Sequence, residues 1–203
     1  MTPTVSGTAP RSGDRHPPVV SAGTPVQAVS GVTERVIAVT DDGARAFDFI
    51  HGSWRVQNRK LRDTTDPRCE EWVEFDATSE VFPVLRGVGH VDRMDVPDPP
   101  DGAPFEGFTL RLFDPAAGTW NIWWSSSRHP GHLDPPMVGS FAGDQGVFLA
   151  DDVIGGYEVT VRFEWLAGKT PRWQQSFSYD AGRTWKVNWL MDFSRRASVP
   201  SGI

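Results

Sequence analysis

The chain has little cysteine: Cys69 is the only one among its 203 residues. A single thiol excludes an internal disulfide and a zinc site built on several thiolates. Cys69 stands between Arg68 and Glu70; we interpret it as an ordinary residue at the start of a strand, with a nucleophile as the alternative. One free thiol is typical of a reducing compartment, so we expect a cytoplasmic protein.

Long apolar runs are missing as well. No segment approaches the roughly 18 apolar residues of a membrane-spanning helix, and residues 1–31 lack the apolar region of a signal peptide. The formal net charge is -6 and the isoelectric point is about 5.3, whereas nucleic acid and anionic lipid select basic surfaces. We therefore expect no nucleic-acid partner and no membrane.

The two ends of the chain differ in composition from its centre. Residues 1–31 are rich in Thr, Pro, Ser and Gly and bury too little apolar surface to offset chain entropy. We predict a disordered tail there, with a lid over the fold as the alternative. One folded domain is placed at 32–198 and a short C-terminal tail at 199–203. Within the domain, residues 33–40 are interpreted as an extra strand or a short helix.

Aromatic residues are abundant, with 9 Trp and 12 Phe, which suits a β core or the wall of an apolar pocket. Short segments in which apolar and polar residues alternate predict strands. We predict ten strands, near 53–61, 70–79, 86–95, 106–113, 119–126, 138–142, 147–151, 157–165, 172–178 and 185–194. Pro83 is expected to end the extended segment that follows the second strand.

The connections between these strands indicate their arrangement. No helical pattern separates consecutive strands, so each should pair antiparallel with its neighbour in the chain. Closure of such a sheet removes its exposed edges. We therefore predict an all-β fold: a single antiparallel up-and-down β-barrel of about 8–10 strands, enclosing space for one small ligand. Residues 44–50 predict a helical turn that closes one end of the barrel with Phe47, Phe49 and Ile50.

A recognisable turn motif joins the last two strands. Ser178 to Trp185 matches Ser-x-Asp-x-Gly-x-Thr-Trp, the Asp-box. In such a motif the aspartate accepts hydrogen bonds from turn amides, the glycine adopts a positive φ and the tryptophan packs on the hairpin. We interpret the motif as structural and not catalytic.

Several segments together resemble one family. They are Phe47 to Val56, Thr109 to Pro115, Trp120 to Trp124, Leu133 to Pro136 and Asp180 to Trp189. Between Ala44 and Arg196 the chain resembles the DUF1579-type, calycin-like proteins. The resemblance implies a lipocalin-like barrel in which Trp54 plugs one end and Arg195 or Arg196 packs over its ring. It implies no particular activity.

The main candidate for chemistry joins the second, third and fourth strands. His90 and Asp92 share one face of their strand by the period of two, as do Glu74 and Asp76 on theirs. With these faces inward, His90 is a candidate general base, Asp92 its orienting carboxylate and Glu74 a candidate acid. The alternative is that all these charges face water. Arg111 joins the group only with its own face inward, against which Leu110 and Leu112 argue.

The same parity argument selects residues that would bind a ligand. Asn58 shares the face of Trp54, and Trp124 and Trp189 lie on apolar faces of their strands. With Arg111 they are expected to line a mixed cavity that orients a mostly apolar small molecule through one polar end. We expect a binding protein; the alternative is an isomerase or cyclase that acts on a hydrophobic metabolite with one acid or base. A homodimer is compatible with both the binding protein and the enzyme.

The loop after the fifth strand contains His129-x-x-His132-x-Asp134, which resembles a metal-ligand cluster. Pro130 and Gly131 prevent a helix there, so no regular face aligns the imidazoles, and we assign no metal site and no cofactor. A haem-binding barrel, with His90, His129 or His132 as the iron ligand, stays open as a second alternative. No Gly-x-Ser-x-Gly, Walker or dinucleotide-binding motif occurs.

Overall fold

The computed structural model describes residues 41–196. The predicted tails at 1–31 and 199–203, the possible element at 33–40 and the outermost residues of the 32–198 domain lie outside the described residues. Ten strands form: β1 Gly52–Leu61, β2 Trp72–Val84, β3 Gly89–Val96, β4 Phe105–Asp114, β5 Thr119–Ser126, β6 Met137–Ala142, β7 Gln145–Ile154, β8 Tyr157–Leu166, β9 Arg172–Ser178 and β10 Lys186–Arg195.

Helix is confined to short pieces. The helix α1 covers Asp41–Ala44, and two 3₁₀ helices cover Asp48–Ile50 and Leu85–Gly87. Within residues 41–196, no helix has the length and apolar character to cross a bilayer.

The strands close into one barrel. Each pairs antiparallel with its neighbours in the chain, and β1 pairs with β10, as in Trp54 opposite Arg195. This confirms the predicted all-β, up-and-down barrel and its number of strands. One pairing is short: β5 and β6 are in register over three residue pairs only, from Trp120 opposite Gly139 to Ile122 opposite Met137.

Alternation along the strands sets which side chains point inward. In β1, Trp54, Val56 and Asn58 are buried, whereas the intervening Arg55 and Gln57 are exposed. This is the pattern of a strand with one face on a core and one in water. The same period places a continuous set of aromatic and aliphatic side chains inside the barrel.

Two local features depart from the sequence prediction. The second strand is longer than predicted, because β2 continues to Val84; Pro83 lies one residue before its end, within the pairing and opposite His90 of β3. β1 begins at Gly52, opposite Val81, so β2 is an edge beyond that point, and an edge tolerates a proline. In β10 a bulge between Val187 and Trp189 shifts the register, and strict alternation breaks down there.

One end of the barrel is plugged, as the family resemblance implies. Phe47, Ile50 and Trp54 are fully buried there, and the Trp54 Nε1–H donates to the Ile50 carbonyl oxygen at 2.6 Å. The Arg195 guanidinium carbon lies 3.9 Å from the centre of the Trp54 ring. Arg195, and not Arg196, is therefore the arginine that packs over the plug.

The Asp-box forms the turn between β9 and β10. The Asp180 carboxylate accepts hydrogen bonds from the Thr184 amide and hydroxyl and from the Ser178 hydroxyl. Gly182 has a φ of 84°, and Trp185 Nε1–H donates to the Gly182 carbonyl oxygen. The structural interpretation of the motif is confirmed.

Candidate functional site

A cavity of about 460 Å³ occupies the barrel between the plugged end and the opposite, open end. Pockets for small molecules usually have volumes of about 300–1,000 Å³. Most of the lining is apolar, and its aromatic side chains are Trp124, Phe163, Trp165, Trp173, Phe177, Trp189 and Phe193. The interior therefore suits a molecule that is itself mostly apolar.

Aromatic rings form much of the cavity wall, and two of them are those predicted from the sequence. Trp124 and Trp189 both line the cavity. The Trp124 ring lies so close to Gly107 on β4 that a β-carbon at residue 107 would overlap it. Trp189 packs edge-on against Trp173, with ring centres 5.5 Å apart. These contacts hold the rings in place.

One buried polar group of the cavity lies on β2, β3 and β4. Asp92 is buried and accepts a hydrogen bond from the Ser79 hydroxyl at 2.8 Å and one from Arg111 Nη2 at 3.0 Å. All three residues line the cavity. Arg111 points inward because it lies opposite the inward-facing His90 in the β3–β4 register, while Leu110 and Leu112 point outward and are partly covered. The structure thus brings together Asp92 and Arg111, and the face of Arg111 is inward although Leu110 and Leu112 argued against it.

The pairing with Asp92 uses only part of the hydrogen-bonding capacity of the Arg111 guanidinium group. Its Nη2 donates to Asp92, whereas Nε and Nη1 are buried and have no hydrogen-bond partner among the described residues. A buried donor without a partner costs about 1–3 kcal/mol, and more when the group is charged. The guanidinium therefore has unused capacity to bind an acceptor oxygen.

Asn58 is buried as predicted, but it contacts the cavity-lining Trp189 and does not line the cavity itself. It is fully inaccessible, it does not line the cavity, and its Oδ1 accepts a hydrogen bond from Trp189 Nε1 at 3.0 Å. Direct contact between Asn58 and a ligand was therefore the wrong expectation. Its role in the structure is to fix the orientation of Trp189.

Lys60 adds a cationic group that the sequence analysis missed. It follows Trp54, Val56 and Asn58 on the inward face of β1 and lines the cavity. Its Nζ lies 4.1 Å from the centre of the Trp189 ring. Burial, and secondly the nearby Arg128 charge, lower the pKa of Lys60 to about 8. The period of two in β1 was the signal that pointed to this residue.

Glu74 lies outside the cavity, and its prediction as an acid within it was wrong. It is exposed on the outer face of β2, as is Asp76. The opposite face of this strand carries Val73, Phe75 and Ala77, and burial of those apolar side chains determines which face points inward. Ser79 continues that inward face and takes the place that the prediction gave to Glu74.

His90 is inside the barrel but outside the cavity. It is completely buried, with its ring 5.0 Å from that of Trp120 and 6.1 Å from that of Phe47, and it is absent from the cavity lining. Burial, followed by the charges of His51 and Arg111, lowers its pKa to about 3. It does not face the cavity as a general base, so the predicted arrangement of His90 oriented by Asp92 does not form; Asp92 binds Arg111 and Ser79 instead.

The histidines of the β5–β6 loop lie at the open end. His129 and Asp134 line the cavity mouth, and His132 is exposed with its Nε2 3.4 Å from an Asp134 oxygen. No cluster of three metal-binding groups forms from these residues. Of the three histidines considered for haem, only His129 faces the cavity.

No protein-family model matches the chain, and no curated protein matches it either. The resemblance to the calycin-like proteins is therefore carried by the motifs and by the closed barrel alone. Within residues 41–196, the fold and the cavity define a β-barrel with an interior pocket, plugged at one end and open at the other.

Proposed function

We propose that this protein binds a small, mostly apolar molecule in the barrel cavity and that Arg111 binds an acceptor oxygen at the polar end of that molecule. The observation that carries the proposal is the pair of unpartnered guanidinium nitrogens on a buried arginine that lines a mostly apolar cavity. A carbonyl, carboxylate or hydroxyl oxygen would satisfy these donors. The aromatic walls would bury the rest of the molecule.

A second candidate is an isomerase or cyclase acting on the same class of molecule. Lys60 favours it, because an amine that lines the cavity and has a pKa of about 8 is partly neutral near physiological pH. A neutral amine is a competent base or carbonyl-directed nucleophile. Lys60, and not His90, is the residue on which this candidate depends. A cytoplasmic location, which the single thiol favours, stays a prediction.

Native mass spectrometry of the protein purified from its own host tests the binding function. We expect an added mass of a few hundred daltons that is released on denaturation. Two neighbouring substitutions on β7 provide a matched pair: Ala150 lines the cavity, whereas Leu149 is exposed on the outer wall. Ala150→Trp should abolish the added mass and Leu149→Trp should keep it. Retention by both variants would show that the molecule binds elsewhere.

The role of Arg111 is tested with the ligand so identified. Arg111→Met alone would leave Asp92 buried without its counter-charge, so the comparison uses Arg111→Met combined with Asp92→Asn. We expect this folded double variant to bind at least about tenfold more weakly, the effect of one lost polar contact of about 1.4 kcal/mol. A ligand analogue without the acceptor oxygen should bind both proteins equally. Undiminished binding of the ligand itself would contradict the assignment of its polar end to Arg111.

A further inference from the structure

A cluster of metal-ligating groups lies at the plugged end of the barrel, outside the cavity. Asp48 belongs to the 3₁₀ helix before β1, His51 follows that helix directly, and His90 is in β3. One ligand atom from each residue lies within 4.8 Å of the other two. The two imidazole rings are 4.4 Å apart between centres, at an angle of 78°. Two segments distant in the sequence therefore bring together two imidazoles and a carboxylate.

The imidazole nitrogens in this cluster are buried and unused. Both nitrogens of the fully buried His90 and the Nε2 of His51 have no hydrogen-bond partner among the described residues. Buried polar atoms are paired in the great majority of cases, and each exception needs a physical reason. Phe47 and Trp120 pack against His90; the Phe47 ring has no donor or acceptor, and the Nε1–H of Trp120 donates to the Gly43 carbonyl oxygen instead. A bound ion would provide a partner for one nitrogen of each histidine at once.

We propose that Asp48, His51 and His90 form a binding site for a divalent transition-metal ion of the zinc type. Two imidazole nitrogens and one carboxylate oxygen are a ligand set that such ions accept. The ligand atoms of a tetrahedral ion with Zn–N distances of about 2.0–2.1 Å lie roughly 3.3 Å apart. A small inward movement of the 3₁₀ segment that carries Asp48 and His51 brings the present cluster to that spacing, while β3 holds His90 in place.

The charges around the cluster are compatible with a cation. Arg45 binds the Oδ2 of Asp48 at 2.9 Å, which orients the carboxylate and leaves Oδ1, 3.9 Å from the His51 Nε2, for the ion. Two further cations lie nearby: Arg111, which Asp92 neutralises, and Arg195, whose guanidinium donates to the backbone carbonyl oxygens of His51 and Phe49.

The site would keep a free coordination position. Three protein ligands leave one position of a tetrahedral ion for water or another small ligand. The side chains of His51 and Asp48 are 28% and 31% exposed, so solvent reaches the cluster from the outer side of the plug. This site is independent of the cavity ligand, and neither proposal depends on the other.

Isothermal titration calorimetry of the chelator-treated full chain with ZnCl₂, repeated with CoCl₂, tests the site. We expect one ion per chain. His51→Gln and Asp48→Asn should each weaken binding by more than about 100-fold, beyond the about 10–100-fold loss from an outer-shell change. The matched control is His129→Ala combined with His132→Ala, which removes the two loop histidines and should leave binding unchanged.

The absorption spectrum of the cobalt form provides a second readout. Visible bands of four-coordinate Co²⁺ should appear in the wild type and in the loop-histidine control, and should be absent from His51→Gln. Loss of binding in the loop control, full binding in both His51→Gln and Asp48→Asn, or no binding in the wild type would each overturn the proposal. Thermal unfolding verifies that each variant is folded, and Asp48→Asn decides the outcome should His51→Gln not fold.

Discussion

The Nε1–H of Trp189 donates a hydrogen bond to the Oδ1 of Asn58 across the seam at which the first and last strands meet. The two residues are 131 positions apart in the chain, and both are buried. The bond therefore links closure of the barrel to the orientation of a cavity wall. It forms only when β1 and β10 pair in the native register.

Replacing Asn58 tests this link. Asn58→Ala leaves the Trp189 indole N–H buried without an acceptor, so we expect a loss of about 1–3 kcal/mol in the free energy of unfolding, measured by denaturant titration. In a Trp189→Phe background the same substitution should cost clearly less, because the donor is already gone. Gln57→Ala, at the exposed neighbouring position, should change stability by less than about 0.5 kcal/mol. Equal effects in the two backgrounds would contradict the link.

Two adjacent arginines at the end of β10 offer a second test. Arg195 packs over the Trp54 ring and donates to the carbonyl oxygens of His51 and Phe49. We expect Arg195→Ala to lower the free energy of unfolding by about 1–2 kcal/mol, the range of a cation over an indole ring. Arg196→Ala should leave it within about 0.5 kcal/mol, because the Arg196 backbone amide keeps its bond to Ser53. Equal melting temperatures for the two variants would contradict the assignment.

The pKa of Lys60 predicts a pH-dependent reactivity. Since burial lowers this pKa to about 8, the reactive neutral amine should form as the pH rises through 8. We expect competitive acetylation, quantified by peptide mass spectrometry, to show a midpoint near pH 8 for Lys60. Lys169, exposed in the turn between β8 and β9, is the internal reference. The prediction fails when both lysines follow the same pH profile.

The Asp-box predicts a contribution to stability in acid. Hydrogen bonds from the Thr184 amide and hydroxyl, and then from Ser178, lower the pKa of Asp180 from 3.8 to about 2. The folded state stabilises the ionised Asp180 carboxylate. The contribution of Asp180 to the free energy of unfolding is therefore complete above about pH 4 and disappears as the pH falls through 2. Asp180→Asn should therefore flatten the stability curve between these values in denaturant titrations. Asp98→Asn, in the exposed β3–β4 loop, should reproduce the wild-type slope.

The sequence predicted the strands well, because alternation and turn residues are local signals. All ten strands form, and the period of two correctly grouped His90 with Asp92 and Trp54 with Asn58. Alternation alone does not state which face is inside. For β2 the charged face of Glu74 was placed inward, although burial of Phe75 and its neighbours favours the opposite face.

Which residues meet in the candidate site depends on the register between paired strands. Arg111 points inward because of its register with His90, which no local pattern encodes. His90 lies below the cavity because Phe47 and the 3₁₀ segment fill the end of the barrel beside it. The cluster with Asp48 and His51 arises from the same packing. The period of two predicts which face of a strand a residue lies on. The height of that residue along the barrel axis is seen only in the structure.

Because the β5–β6 pairing is short, the number of residue pairs that join neighbouring strands differs around the barrel. This link holds three residue pairs, whereas the β1–β2 link holds ten. The rest of β5, from Trp123 to Ser126, pairs with β4 but not with β6, and there the Trp124 carbonyl oxygen accepts a hydrogen bond from the Asp134 amide of the following loop. We expect the backbone amide protons between β5 and β6 to exchange with solvent before those between strands with longer pairings. We therefore expect the barrel wall to separate first between β5 and β6, which would widen the entrance to the cavity while the plugged end stays closed.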